Sequence, residues 1–143
     1  MRFMLAFLLG LVALSGSAIA EVQPVADPDQ YAKDIMAFVS NGDEAGVAKK
    51  ITQTLGKPEA EQTFENGLGA LKGKKVDLAD KVIDKTFGKS LRKIVYYCYV
   101  ENIGYVYFRF NFKLAGNGWH MVHFMFRSET QELFPKDFIE SGA

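Results

Sequence analysis

Residues 91–127, LRKIVYYCYVENIGYVYFRFNFKLAGNGWHMVHFMFR, hold eleven of the chain's nineteen aromatic residues. Only two short Gly-containing turns, ENIG and AGNG, interrupt them. Val, Ile, Tyr and Phe fit a pleated, half-buried surface, and Gly supplies the backbone freedom of tight turns. Such runs between such breaks predict an antiparallel meander. At this aromatic density the meander has to be the core sheet, and the remaining chain has to cover one of its faces.

The preceding residues supply the cover. Asp27-Pro28-Asp29-Gln30 reads as a helix start, with a cap residue, Pro at the first helical position and Gln three residues after the cap. Tyr31, Ile35, Phe38 and Val39 then share one helical face, and Asn41-Gly42 ends it. Asp43 caps a second helix carrying Val47, Ile51 and Leu55 and ending at Gly56. Pro58 opens a third with Phe64, Leu68 and Leu71 on one stripe, weakened by Gly67 and Gly69. Residues 71–75 read as a solvated connector, residues 21–26 as a short tether, and the tail from Ser128, with Phe134-Pro135 and Phe138, as packing along an edge.

After the connector the period becomes alternating, and each turn proposes a register. Gly88-Lys89 suits a two-residue hairpin that sets Asp84 opposite Lys93 and Ile83 opposite Ile94. Asn102-Ile103-Gly104 suits a three-residue loop that sets Cys98 opposite Phe108 and Val100 opposite Val106. Asn117-Gly118 pairs Leu114 with Met121. Strict alternation then fails, because Met121 and Phe124 both belong inside yet stand three apart. One extra residue at Val122-His123 repairs the phase, predicts a β-bulge and brings Phe112 opposite Phe124. The inner face then carries Ile94, Tyr96, Cys98, Val100, Val106, Phe108, Phe110, Phe112, Leu114, Met121, Phe124 and Phe126. The outer carries Lys93, Val95, Tyr97, Tyr99, Glu101, Tyr105, Tyr107, Arg109, Asn111, Lys113 and Met125.

Residues 1–20 read as a secretory leader: Arg2 precedes an apolar run over residues 5–14, and Ala18-Ile19-Ala20 gives a small-x-small cleavage site. The run is too short to span a bilayer, so the expectation is export to the periplasm or beyond, with no membrane span after cleavage. Glu21 rather than Cys follows the cut, which argues against a lipid anchor there. The remaining 123 residues suit a single domain, residues 21–143. Their 16 basic and 17 acidic residues give no electrostatic case for nucleic acid. Cys98 is the only cysteine, so no internal disulfide forms, and its apolar strand predicts a buried thiol.

Three helices ahead of a bulged four-stranded meander, with TFGKSLRKIVYYCYV as the hairpin start and GWHMVHFMF as the final strand, resemble the nuclear-transport-factor-2-like (SnoaL-like) superfamily. The resemblance implies an α+β, cystatin-like cone: three N-terminal helices packed on a curved, bulged antiparallel sheet. That superfamily includes isomerases, dehydratases, ligand binders and dimerisation modules, so the fold alone transfers no activity. None of its catalytic residues maps onto a position here.

Several constellations invite a function. Gly88-Lys89-Ser90 has the ending of a phosphate-binding loop, but Ile83 stands where the motif needs its first glycine, which leaves a hairpin turn. His120 and His123, the only histidines, come to one side across the bulge, without the third and fourth ligands of a zinc site. No metal or other cofactor is implied. The inner face offers no ionisable group beyond Tyr96 and Cys98, which points to a non-enzymatic module ahead of isomerase- or dehydratase-like chemistry. One corner stands out: the register turns Lys85 and Arg92 inward and opposite each other, with Lys81 along the same strand. Like charges so placed call for a neutralising group. Lys85, Arg92, Lys81 and Tyr96 therefore form a candidate site for an anionic or amphipathic ligand held between helices and sheet; the bland reading has water and local acids neutralise them. On the outer face Tyr97, Tyr99, Tyr105, Tyr107, Arg109 and Met125 form a patch with interface composition, which suggests a homodimer. The alternative is an interaction module with a filled core.

Overall fold

The computed structural model describes residues 21–128. The expected leader at 1–20 and the expected edge-packing tail from 129 onward lie outside the described residues. Three helices precede a four-stranded antiparallel sheet: α1 Pro28–Ser40, α2 Glu44–Thr54, α3 Glu61–Leu68, then β1 Val76–Phe87, β2 Leu91–Val100, β3 Gly104–Ala115 and β4 Gly118–Arg127. The strands neighbour one another in chain order, the expected α+β meander. No described helix is long and apolar enough to cross a membrane.

The helices begin where side chains satisfy free backbone N–H groups. Asp27 accepts from the Asp29 N–H at 2.9 Å, and Asp43 accepts from the Gly46 N–H at 2.8 Å. Gln30 does not close the capping box that its position suggests; its amide donates to Asp34 one turn on. Gly42 ends α1 at φ 65°, and a Cβ there would lie 2.9 Å from the Gly73 Cα, so the first helix and the connector touch backbone to backbone. The third helix is α-helical only to Leu68; Pro58–Ala60 and Gly69–Leu71 are 3-10 turns, so Gly69 tightens the last turn rather than continuing it.

One core joins the layers. Tyr31, Ile35 and Val39 of α1, Val47 and Ile51 of α2, and Leu68 and Leu71 pack with the inner-face residues of the sheet. Phe108, Phe110 and Phe112 are fully buried, and Tyr31 meets Phe112 edge-on at 6.1 Å. Cys98 is buried, its thiol 3.7 Å from the Val106 carbonyl. Residues 21–26 are more than a tether: Val25 bridges to Trp119 and is buried, and the Gln23 N–H donates to the Thr54 carbonyl.

The registers differ from expectation by one or two residues. Glu101, Asn102 and Ile103 form the second turn, so Val100 faces Gly104 and Cys98 faces Val106. Asn102 takes the left-handed conformation at φ 61°, which Asn tolerates, so the loop closes one residue earlier than a turn ending at Gly104. Gly116 and Asn117 form the third turn, pairing Ala115 with Gly118 and Leu114 with Trp119. Leu114 is exposed rather than part of the inner layer, because it stands at the last turn. The expected bulge is present: Phe112 faces Met121 and Asn111 faces His123, which leaves Val122 as the extra residue and buries both Met121 and Phe124.

The first turn carries the correction that matters for function. It contains three residues, Gly88, Lys89 and Ser90, not two, so Phe87 faces Leu91, Lys85 faces Lys93, and Asp84 faces Ile94. Lys85 therefore belongs to the outer face and does not oppose Arg92. Asp84 takes the inner position instead. The strand β1 also slips between Asp77 and Asp80, with Leu78 at φ 53°, and again between Lys81 and Ile83.

Candidate functional site

The charged corner on the inner side of the sheet is built from β1, β2 and the first turn of α1. Arg92 donates through Nε and Nη2 to the two carboxylate oxygens of Asp84, at 2.8 and 2.9 Å. Lys81 bridges Asp84 at 2.9 Å and Asp29 at 2.8 Å, and Lys33 reaches Asp29 at 2.7 Å. The second slip in β1 is what turns Lys81 to the same side as Asp84 and Arg92. Three of the four residues singled out from the sequence, Lys81, Arg92 and Tyr96, thus meet here, and Lys85 does not. Two carboxylates already serve the three cations.

The electrostatics follow from that pairing. The Arg92 guanidinium, with Lys81 beside it, pulls the Asp84 carboxyl down to about 2 against partial burial. Lys33 and then Lys81 hold the Asp29 carboxyl below its ordinary range, and Asp29 and Asp84 together push the Lys81 ammonium up. Burial raises the Tyr96 hydroxyl, whose ring packs edge-on against Phe110 at 6.4 Å. These are groups held in their charged or neutral resting forms. None is tuned toward proton transfer near neutral pH.

The outer face can be laid out row by row from the register. Phe87, Leu91, Lys113 and His120 form the first row; Lys85, Lys93, Asn111 and His123 the second. Ile83, Val95, Arg109 and Met125 come third, Asp80, Tyr97, Tyr107 and Arg127 fourth, and Asp77, Tyr99 and Tyr105 last. The lysines and histidines gather at the hairpin-turn end; the tyrosines, the acids and Arg127 lie at the other.

Within the tyrosine half the residues differ. Tyr97 stacks on Tyr105 at 4.8 Å with the rings 5° from parallel, and Tyr99 meets Tyr105 edge-on at 5.4 Å. Tyr99 is 40% exposed and Tyr105 50%, whereas Tyr107 is only 2% exposed and forms a small second cluster with Val95, Ile83 and Tyr97. Burial pushes the Tyr107 hydroxyl up to about 12. Met125 and Arg109 are half-buried. The Arg109 Nε and the Asn111 Oδ1 are both shielded from solvent and lack a hydrogen-bond partner among the described residues.

Burial and then the neighbouring Arg109 lower the His123 imidazole. His120 lies 2.6 Å from the Asn117 side-chain oxygen, on the same side of the sheet as His123. No group of three His, Cys, Asp or Glu converges as a metal site among the described residues. Burial raises the Cys98 thiol to about 11, which keeps it protonated and unreactive.

Two clefts bear on binding. One of about 350 Å³ lies at the seam of the layers, lined by Leu71, Ile103, Val106, Phe126 and Arg127. The other, about 230 Å³, lies at the hairpin-turn end of the sheet and is lined by Phe87, Leu91, Arg92, Lys93, Asn111, Phe112 and Val122. Sequence reasoning missed this second cleft because it depends on the three-residue turn at Gly88, where a two-residue turn was expected. No protein-family model matches the chain, and no match is found among curated proteins or solved structures.

Proposed function

We propose that the chain is an exported, non-enzymatic binding module of the cone-shaped α+β kind, which acts by protein contact and pairs with a second copy through the outer face of its sheet. The observation that carries this reading is the ladder formed by exposed Tyr99 and Tyr105 with half-buried Tyr97 stacked on Tyr105. Tyrosines offer large contact area and a polar tip, and they concentrate at the centres of protein interfaces. A sheet face left to water carries Thr, Ser, Lys and Glu in place of such a ladder. The filled interior supports contact over enclosure, since Phe108, Phe110, Phe112, Ile35 and Ile51 leave no exposed apolar surface of their own. The pairing of Asp29 and Asp84 with cations supports a non-catalytic role. Export rests on the leader-like residues 1–20.

A second reading, a small amphipathic ligand held between helices and sheet, draws support from the cleft at the layer seam beside Leu71 and Phe126. Its entrance would be away from the Lys81–Arg92 corner, whose charges are already matched.

Light scattering on residues 21–143 separates the two. The wild type is expected as a dimer, and Tyr99→Glu with Tyr105→Glu as a folded monomer with an unchanged circular dichroism spectrum. A double variant that remains dimeric would remove the tyrosine face from the interface. Tyr107 is unsuitable for this test because it is buried, and a carboxylate there would damage the fold.

A further inference from the structure

The cationic half of the outer face is separate from the tyrosine ladder, and nothing above gives it a role. Lys85 and Lys93 stand directly opposite each other across β1 and β2, an unfavourable placement for like charges. Both ammonium groups lean on the same ring, Phe87, at 5.1 and 5.6 Å from its centroid. Lys113 stands directly across from Leu91 on the next strand. None of these three lysines makes an ion pair among the described residues, although Lys81 and Arg92 on the other face are fully paired. Lys93 lines the cleft of about 230 Å³ together with Arg92 and Asn111, and the cleft's apolar residues Phe87, Leu91 and Val122 are all exposed. Lys85 stands opposite Lys93 and Lys113 opposite Leu91, at its margin.

An apolar depression lined by Lys93, with Lys85 and Lys113 at neighbouring register positions and no carboxylate paired to any of the three among the described residues, describes one kind of ligand. We infer that this cleft binds a small amphipathic carboxylate: the acyl or aryl body covers Phe87, Leu91 and Val122, and the carboxylate sits among Lys85, Lys93 and Lys113. The body removes exposed apolar surface from water, and the head relieves the repulsion between the facing lysines. Neither half of the ligand suffices alone. A bare anion leaves the apolar surface wet, and a neutral chain leaves the lysines unmatched.

The test is a titration of the whole mature chain, residues 21–143, with octanoate, followed by amide chemical shifts. Saturable shifts are expected at Leu91, Lys93, Asn111 and Val122, with acetate and 1-octanol binding at least about tenfold more weakly. Lys85→Ala with Lys93→Ala and Lys113→Ala should raise the octanoate dissociation constant about tenfold or more, and added salt should weaken wild-type binding. The inference is overturned if shifts gather instead at Leu71, Val106 and Phe126, if acetate binds as well as octanoate, or if the triple variant binds like the wild type. It is also overturned if the triple variant loses dimerisation while octanoate never binds, since the lysines would then serve an acidic protein surface. Tyr99→Glu with Tyr105→Glu should leave octanoate binding intact, so the ligand site and the dimer interface fail independently.

Discussion

Both faces of this sheet are aromatic, yet they hold their rings in opposite ways. On the inner face Phe108, Phe110 and Phe112 alternate along β3, fully buried under the helices' apolar residues. On the outer face Tyr105 and Tyr107 follow the same alternation one residue out of phase, and only Tyr107 is buried. The hydroxyl permits the exposure of Tyr99 and Tyr105. A Phe ring has no use for water, while a Tyr ring can present area and keep its oxygen solvated. Exposed Tyr99 and Tyr105 can therefore present ring area while their oxygens stay hydrated. The contrast extends to charge: Lys81, Arg92, Asp84 and Asp29 form a closed set on the inner side, and Lys85, Lys93 and Lys113 on the outer make no ion pair among the described residues.

The strongest way to break the contrast is to truncate one ring on each face. Phe110→Ala should cost about 3–5 kcal/mol in urea unfolding, because the site is surrounded and cannot collapse. Tyr107→Ala should behave as a core substitution despite its outward position, at about 2–4 kcal/mol. Tyr105→Ser should change monomer stability by no more than about 0.5 kcal/mol, measured where the protein is dilute enough to be monomeric. If Tyr105→Ser costs as much as Tyr107→Ala under those conditions, the ladder is part of the fold and not a surface held for a partner.

The charge contrast gives two smaller effects. The Asp84 carboxyl is depressed to about 2, so its contribution is fully present above its unfolded value near 4 and is lost as pH falls toward about 2. Asp84→Asn should flatten that part of the acid-unfolding curve and cost about 1 kcal/mol at neutral pH, since the pair is partly exposed. Lys85→Ala, whose ammonium has no carboxylate partner among the described residues, should leave the acid limb unchanged. For the buried thiol, alkylation of Cys98 by iodoacetamide should be slow in the native protein and fast in urea. Rapid native labelling would contradict the burial of the inner face.

How far the sequence revealed this arrangement depends on the size of each register error. The second and third turns slip by two residues from their expected positions, and a slip of two returns every side chain to its own face. Val106, Phe108, Phe110 and Phe112 therefore point inward as their alternation predicts, and the break in phase between Met121 and Phe124 correctly signals a bulge. The first turn slips by one. That single residue exchanges Lys85 for Asp84 on the inner face and converts an apparent anion site into a closed ion-pair cluster. Gly88-Lys89-Ser90 contains too little turn chemistry to distinguish two residues from three. The bulge at Leu78 and the anchoring of Val25 on Trp119 are illegible for a related reason, since both depend on tertiary partners and not on local pattern.

The central claim is that the outer tyrosines meet a second copy of the chain. Native mass spectrometry of the chain from Glu21 onward, at micromolar concentration and low salt, addresses it most directly. The account predicts twice the mass of residues 21–143. A spectrum showing only the single-chain mass at every concentration tested would contradict it.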